Sequence, residues 1–414
     1  MSLRKKIFDG ADEPESTYAW LRLGVAVVIG TIGGVGMWSV AVSLPTVQAE
    51  FGVDRGAASL PYTLTMIGFG VGAITLGRVV DRFGILLPLI GGAVMMCAGY
   101  LLAAAAPSLT LYAVAQGALL GTGTAVYFAP LMADISHWFV RRRGIAVAVC
   151  ASGNYFAGAL WPTVVQHFNS TIGWRATCVG IAIFSILTII PLAFLLRRRA
   201  PAGAFAVNPT AGAGGRPSLG LSPNALMAVL CFAGIGCCVA MSMPQVHIVA
   251  YCGDLGYGVA RGAEMLSLML AFGVISRIAS GFIADRIGGV GTLLIGSVLQ
   301  GVALMLYFLF NGLTSLYVIS ALFGLFQGGI VPSYAIIVRE YFSPREAAMR
   351  VSIVITATIL GMALGGWMSG VIFDYTGSYR AAFANGIAFN LLNVSIAIWL
   401  LTQPGRYNRA LARA

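Results

Sequence analysis

Gly77-Arg78-Val79-Val80-Asp81-Arg82-Phe83-Gly84 returns 204 residues later as Gly281-Phe282-Ile283-Ala284-Asp285-Arg286-Ile287-Gly288. Each copy closes an apolar run with an Asp-Arg pair and then a glycine. Two more correspondences keep nearly the same offset. Trp138-Phe139 ahead of Arg141-Arg142-Arg143 matches Tyr341-Phe342 ahead of Pro344-Arg345, and Gly173-Trp174-Arg175-Ala176 matches Ser378-Tyr379-Arg380-Ala381. Self-similarity over so long a period indicates a duplicated architecture. The expected plan is a cytoplasmic tail at 1–19, a half at 20–199, a Pro/Gly/Ala-rich cytoplasmic linker at 200–222, a second half at 223–402 and a cytoplasmic tail at 403–414.

Composition says what solvates these halves. The chain is 58% hydrophobic and 9% charged, with 53 glycines, the signature of a protein whose solvent is mostly lipid. Apolar stretches long enough to span fall at 20–47, 59–80, 85–106, 109–137, 144–167, 175–196, 223–251, 260–284, 288–310, 313–339, 347–372 and 379–402. The fold class predicted is therefore all-α and integral to the membrane, with twelve transmembrane helices, six to a half. Met1 to Thr17 is polar, so the first helix is expected to stay as an anchor and not to be a cleaved leader.

The net charge of +11 is distributed by topology and forms no single basic patch, which argues against a nucleic-acid partner. With the N-terminus inside, twenty lysines and arginines fall on the cytoplasmic side, Arg22 among them. Four (Arg55, Arg175, Arg261 and Arg380) fall outside, and Arg277 is left within the membrane. That asymmetry places both termini in the cytoplasm of a multi-pass protein of the inner (plasma) membrane. The seven cysteines, mostly inside helices, form no disulfide framework and no metal-ligand spacing. No nucleophile–base pair or phosphate loop is present, so neither an enzyme nor a cofactor or metal site is expected.

The paired G-x-x-x-D-R-x-G segments resemble the signature loop of the major facilitator superfamily. One departure is that Ile85 and Leu86 stand where basic residues usually follow the last glycine. The resemblance implies alternating access by two six-helix halves, with Gly77, Asp81, Arg82 and Gly84 and their counterparts Gly281, Asp285, Arg286 and Gly288 as a conformational latch. In that role Gly77 would let helices approach and Asp81 would face a helix N-terminus. Gly153, Gly158, Gly361 and Gly365 are expected at crossings between the halves.

Ser276-Arg277-Ile278-Ala279-Ser280-Gly281, with Trp138-Phe139 and Ala151-Ser152-Gly153, resembles more narrowly the monocarboxylate transporter and oxalate/formate antiporter branch. There an arginine of the eighth helix receives a substrate carboxylate. This chain departs from the branch in three places: no lysine in the first helix, Gly273 where an acid often precedes the arginine, and no lysine between Val351 and Ile372.

Arg277 also stands out without any resemblance. It lies eight residues before Asp285 in an apolar run, about 12 Å into a hydrocarbon core about 30 Å thick. A cation at that depth costs at least about 2.5 to 3.5 kcal/mol. Its counterpart in the first half is Ala73, so the scaffold itself needs no charge there. A carboxylate about 4 Å away gains roughly 4 kcal/mol at an effective dielectric near 20, whereas a second carboxylate would find no second cation. A small monoanion such as lactate or pyruvate is thus expected over a dianion.

Polar residues near mid-span on the expected cavity helices complete the candidate site: Trp38, Tyr127, Asn154, Gln327 and Tyr334 as donors, and His247 in the outer third of the seventh helix. His247 and Asp134 are candidates for proton coupling; the other readings are a hydrogen-bonded structural histidine and an Asp134 paired with cytosolic arginines. The expected partners are a small organic anion, protons as a candidate co-substrate and the lipid bilayer, with the protein acting as a monomer. A dicarboxylate exchanger, a drug or metabolite exporter and a non-transporting membrane receptor are the alternatives.

Overall fold

The computed structural model describes residues 15–198 and 221–403. The expected tails and linker therefore fall almost wholly outside the described residues. All regular structure among the described residues is helical. Eleven helices are long and apolar enough to cross a membrane, and one of them, Val259–Leu309, has 51 residues. At Gly288 inside it φ is 81° and ψ 172°, which ends one helix and starts another.

Twelve spans result. They are α1 (Thr17–Phe51), α2 (Arg55–Phe83), α3 (Leu86–Ala105), α4 (Leu109–Ser136), α5 (Arg143–Ile172), α6 (Trp174–Leu195), α7 (Pro223–Asp254), α8 (259–287), α9 (289–309), α10 (Leu313–Tyr341), α11 (Pro344–Thr376) and α12 (Tyr379–Thr402). The twelve-helix membrane fold expected from hydropathy is the one observed. Large apolar side chains such as Phe282, Leu187 and Phe232 stay exposed on helix faces, as they do where lipid replaces water.

The helices form two compact units. The first holds α1, α3 to α6 and α2 from Leu60 onward; the second holds α7 to α12 together with Val53–Ser59, the start of α2. Lipid tails are as apolar as leucine, so helix association here rests on close packing and interhelical hydrogen bonds. Both occur in the second unit. A methyl group on Gly324 of α10 would overlap the Met269 carbonyl of α8, so the two backbones touch. Tyr334 donates to Asn393 Oδ1 at 3.0 Å, Asn393 donates to Ser297 Oγ at 2.7 Å, Asn390 donates to the Ser297 carbonyl at 3.0 Å and Gln300 donates to the Cys237 carbonyl at 3.1 Å. This ladder ties α7, α9, α10 and α12 together through buried groups.

The glycines of the repeat correct two expectations. Gly84 and Gly288 both have φ near +80°, so each motif ends on a residue that only glycine serves without strain. Gly77 and Gly281, expected to let helices approach, face open space: a Cβ built on either meets nothing within 4 Å. Gly153, Gly361 and Gly365 were expected at crossings between the halves but pack within them. Gly153 sits against Val27 and Gly30 of α1; Gly361 against Ile235 and Cys238, and Gly365 against Val239 and Ser242, all of α7. Small residues are needed at the tightest crossings, and each unit's own helices supply those.

Gly288→Ala is expected to cost about 1 to 3 kcal/mol, the usual cost of a non-glycine residue in that backbone region. Gly281→Ala, inside a helix with room for the methyl, should be neutral or stabilising by up to about 1 kcal/mol. Thermal unfolding of the purified variants measures the contrast, and equal losses would refute it.

Candidate functional site

Three spans are interrupted in mid-course: α1 at Gly34, and α4 and α10 each a few residues ahead of a proline. In α4 the helix widens at Ala115–Gly121, tightens at Ala125–Tyr127 and loses helical geometry at Phe128 (φ −119°, ψ −92°). Pro130 follows; its ring opposes the carbonyl four residues earlier and it has no N–H to give. In α10 the helix stops at Gln327, turns through Gly328 and Gly329 and resumes at Ile330, with Pro332 two residues on. Irregular backbone at membrane depth is tolerated only where protein or a cavity surrounds it, and such breaks are where transporters build substrate sites.

The α10 break lies against the arginine helix. A Cβ on Gly328 would stand 2.5 Å from the Gly273 carbonyl oxygen and 2.7 Å from Ser276 Cβ, and one on Gly329 would overlap Ser280. Gly273, Ser276 and Ser280 share one face of α8, and Arg277 is the next residue round the helix. Its side chain is half-buried, and it lies 11 residues before Gly288, about 16 Å along the axis. Beside the same break, Gln327 is fully buried and accepts a 2.9 Å hydrogen bond from Gln245 Nε2 of α7. Arg277 and Gln327 are thus brought to one level of the second unit.

Other candidates are engaged within their own units. Tyr334 is buried in the polar ladder. In the first unit Trp38 donates to the Asn154 carbonyl at 3.3 Å, Asn154 is half-buried, and Tyr127 packs against Gly33 and Gly92 with its hydroxyl 3.4 Å from the Leu89 carbonyl. Asp134 has a partner that sequence topology assigned to the cytoplasmic side. Arg22 holds it in a two-pronged ion pair, with Nε and Nη2 at 2.8 to 2.9 Å from the carboxylate oxygens, while Nη1 donates to the Leu196 and Arg198 carbonyls. The Arg22 guanidinium also lies 4.7 Å from the Trp138 ring centre. Every donor of Arg22 is used, as a buried cation requires.

His247 belongs to a cluster that no sequence motif marks. Its Nε2 is 2.8 Å from the Gly366 carbonyl and its Nδ1 3.0 Å from the Tyr379 hydroxyl. A carbonyl only accepts, so Nε2 carries the hydrogen; neutral Nδ1 then accepts from Tyr379. Tyr379 in turn accepts from Arg55 Nη1 at 2.7 Å, and Arg55 forks onto Asp254 at 2.9 and 3.1 Å. Asp374 accepts from the backbone N–H groups of Arg55 (2.8 Å) and Gly56 (2.6 Å), capping the start of α2. Arg55, set outside by topology, was no site candidate because its partners lie 199 or more residues away. In this arrangement both ring nitrogens of His247 are taken. Among the motif residues, Arg82 is exposed and stands 5.2 Å from the Phe83 ring centre.

The family model of the Major Facilitator Superfamily matches residues 26–319 and 265–413. The chain belongs to that superfamily. As a superfamily member it is a membrane transporter and not an enzyme. It is 25% identical over 401 residues to monocarboxylate transporter 13 of Bos taurus, covering 94% of this chain and 91% of that protein. It is also 26% identical to the agnestins efflux protein of Paecilomyces divaricatus, over 78% of this chain and 73% of that one. A bacterial homolog of the human lysosomal transporter Spinster, solved in an inward-facing and occupied conformation, matches in fold with a TM-score of 0.66 at 16% identity, covering 96% of this chain and 98% of that one.

Removing either partner of the Arg22–Asp134 pair, as in Arg22→Met or Asp134→Leu, is expected to cost about 3 to 5 kcal/mol by leaving a buried charge uncompensated. The double variant should lose clearly less than the two single losses combined. A thermal double-mutant cycle reads this, and additive losses would show that the two residues do not act as a pair.

Proposed function

We propose that this transporter carries small organic anions by alternating access, with Arg277 receiving the carboxylate, and that monocarboxylates of the lactate or pyruvate kind are its substrates. The observation that carries the reading is the position of Arg277: a cation on α8, 11 residues before Gly288 and one residue from the face packed on the broken turn of α10. Between Gly273 and Gly281 the helix contains no acid, so the helix itself brings no countercharge within a turn. A monocarboxylate carries one charge to the one cation of this helix segment. In the reading, Gln327, Tyr127, Asn154 and Trp38 are further candidate contacts, protons are a candidate co-substrate, and the chain works as a monomer of the inner membrane with cytoplasmic termini.

A dicarboxylate would need a second cation, and none lies between Val351 and Ile372 of α11; Arg350, just before, is bonded to Glu346 at 2.9 Å. Export of a larger metabolite is the second reading, favoured by the efflux protein among the relatives. The experiment is uptake of labelled lactate and pyruvate into proteoliposomes, with and without an inward pH gradient. Arg277→Ala is expected to lose saturable uptake, since an interaction of roughly 4 kcal/mol corresponds to about a thousandfold in affinity. Arg277→Lys should keep part of it, retaining charge without the planar fork. Equal uptake by wild type and Arg277→Ala would remove Arg277 from the site and leave the export reading.

A further inference from the structure

We infer that Gln245 and Gln327 form a subsite that reads a hydroxyl group on the transported acid. The inference rests on the proposed role of Arg277 and adds to it what the rest of the substrate must offer.

Both amides are buried, Gln245 with 3% and Gln327 with 0% of its surface exposed. They meet through one hydrogen bond, Nε2 of Gln245 to Oε1 of Gln327 at 2.9 Å. Beyond that bond, Gln245 Oε1 and Gln327 Nε2 are buried without a hydrogen-bond partner. Exchanging nitrogen and oxygen in both amides leaves the offer unchanged: one acceptor and one donor, on adjoining side chains. Gln300 and Asn390 in the same unit also keep an unpartnered oxygen. Each of those, however, uses its nitrogen to hold the backbone of a neighbouring helix, so helix packing accounts for them. Gln245 and Gln327 hold no backbone through their side chains.

The location also points to a ligand. Gln327 is the last residue before the α10 break, and Gln245 follows Pro244, inside α7. Gly328, next to Gln327, stands against Ser276, next to Arg277. The amide pair is therefore at the depth of the cation. An unsatisfied buried amide is unfavourable, and one kind of group satisfies both orphans together. A hydroxyl accepts from Gln327 Nε2 and donates to Gln245 Oε1. A keto oxygen only accepts, so Gln245 stays unsatisfied; a methylene does neither. With the carboxylate on Arg277, the subsite ranks hydroxy acids above oxo acids and oxo acids above plain acids, by roughly tenfold for each hydrogen bond lost.

The test is thermal unfolding of the purified full-length protein titrated with lactate, pyruvate or propionate, which share chain length and charge. Ligand that binds the folded state raises the midpoint, and the titration gives a half-saturating concentration. Lactate is expected to half-saturate about tenfold below pyruvate and about a hundredfold below propionate. In Gln245→Met and in Gln327→Met, each of which removes one of the two hydrogen bonds, the lactate-to-propionate ratio should fall about tenfold, to roughly ten. Lactate and propionate binding equally to the wild type would overturn the hydroxyl subsite while leaving the Arg277 reading intact, and that comparison needs no variant to fold. An undiminished ratio in both variants would overturn it as well. No response to any of the three acids would overturn both readings.

Discussion

Hydrocarbon offers no hydrogen bonds, so every backbone N–H and C=O within the membrane must find its partner inside the protein. That constraint makes the chain all helical, and it makes a helix break costly. The breaks in α4 and α10 therefore call for compensation. Pro130 and Pro332 lie just past them, and neither has an N–H to give to the turn before it. Around the α10 break the Gly329 carbonyl accepts from both the backbone and the hydroxyl of Ser333, at 3.2 and 2.8 Å. Around the α4 break Phe128 N–H reaches the Ala125 carbonyl at 3.3 Å, and Met132 N–H takes the Phe128 carbonyl at 3.0 Å. A turn so held can sit beside a binding cation without an aqueous path through the bilayer.

How much of this was legible in the sequence depends on the range of the interaction. Helix number and span follow from continuous hydropathy, and the duplicated Gly-x-x-x-Asp-Arg-x-Gly segment marks corresponding turns, whose last glycines share one backbone conformation. The role of the first glycine was not legible, because Gly77 and Gly281 meet no neighbour; a glycine in a motif does not say what faces it. For Asp134 a partner among the cytoplasmic-side arginines was legible, but not which one: Arg22 lies 112 residues away. Positive-inside statistics place a residue relative to the membrane but say nothing of which acid packs beside it. The same limit hid Arg55 and its acids.

Arg22 and Arg277 show how protein context separates structure from function when residue type does not. Both are cations on apolar helices. Arg22 spends its guanidinium on a carboxylate, two carbonyls and an indole face, all from its own unit; nothing is left for a ligand, and its work is to join α1 to the end of α4. Arg277 stands on a helix segment without acids, beside the broken turn of α10 and an incompletely bonded amide pair. Arg22, bonded throughout within its unit, is a fastening, whereas the unpartnered polar atoms at the level of Arg277 belong to the Gln245–Gln327 pair, and there a substrate has something to gain.

The Arg55 cluster extends that argument to protons. In the chain from Asp254 through Arg55 and Tyr379 to His247 and the Gly366 carbonyl, each donor meets an acceptor only while His247 is neutral at Nδ1. A proton on Nδ1 would turn that nitrogen into a donor facing a hydroxyl that already accepts from Arg55, and the tyrosine hydrogen would lose its acceptor. Asp254 and Asp374 supply negative charge to this cluster, but both are committed, one to the guanidinium and one to the first N–H groups of α2. The hydrogen-bond pattern therefore accommodates the neutral ring, with the Tyr379 and Nε2 hydrogens both placed. What Arg55 contributes here is a fixed hydroxyl: by donating to the Tyr379 oxygen it leaves the tyrosine hydrogen for His247 Nδ1.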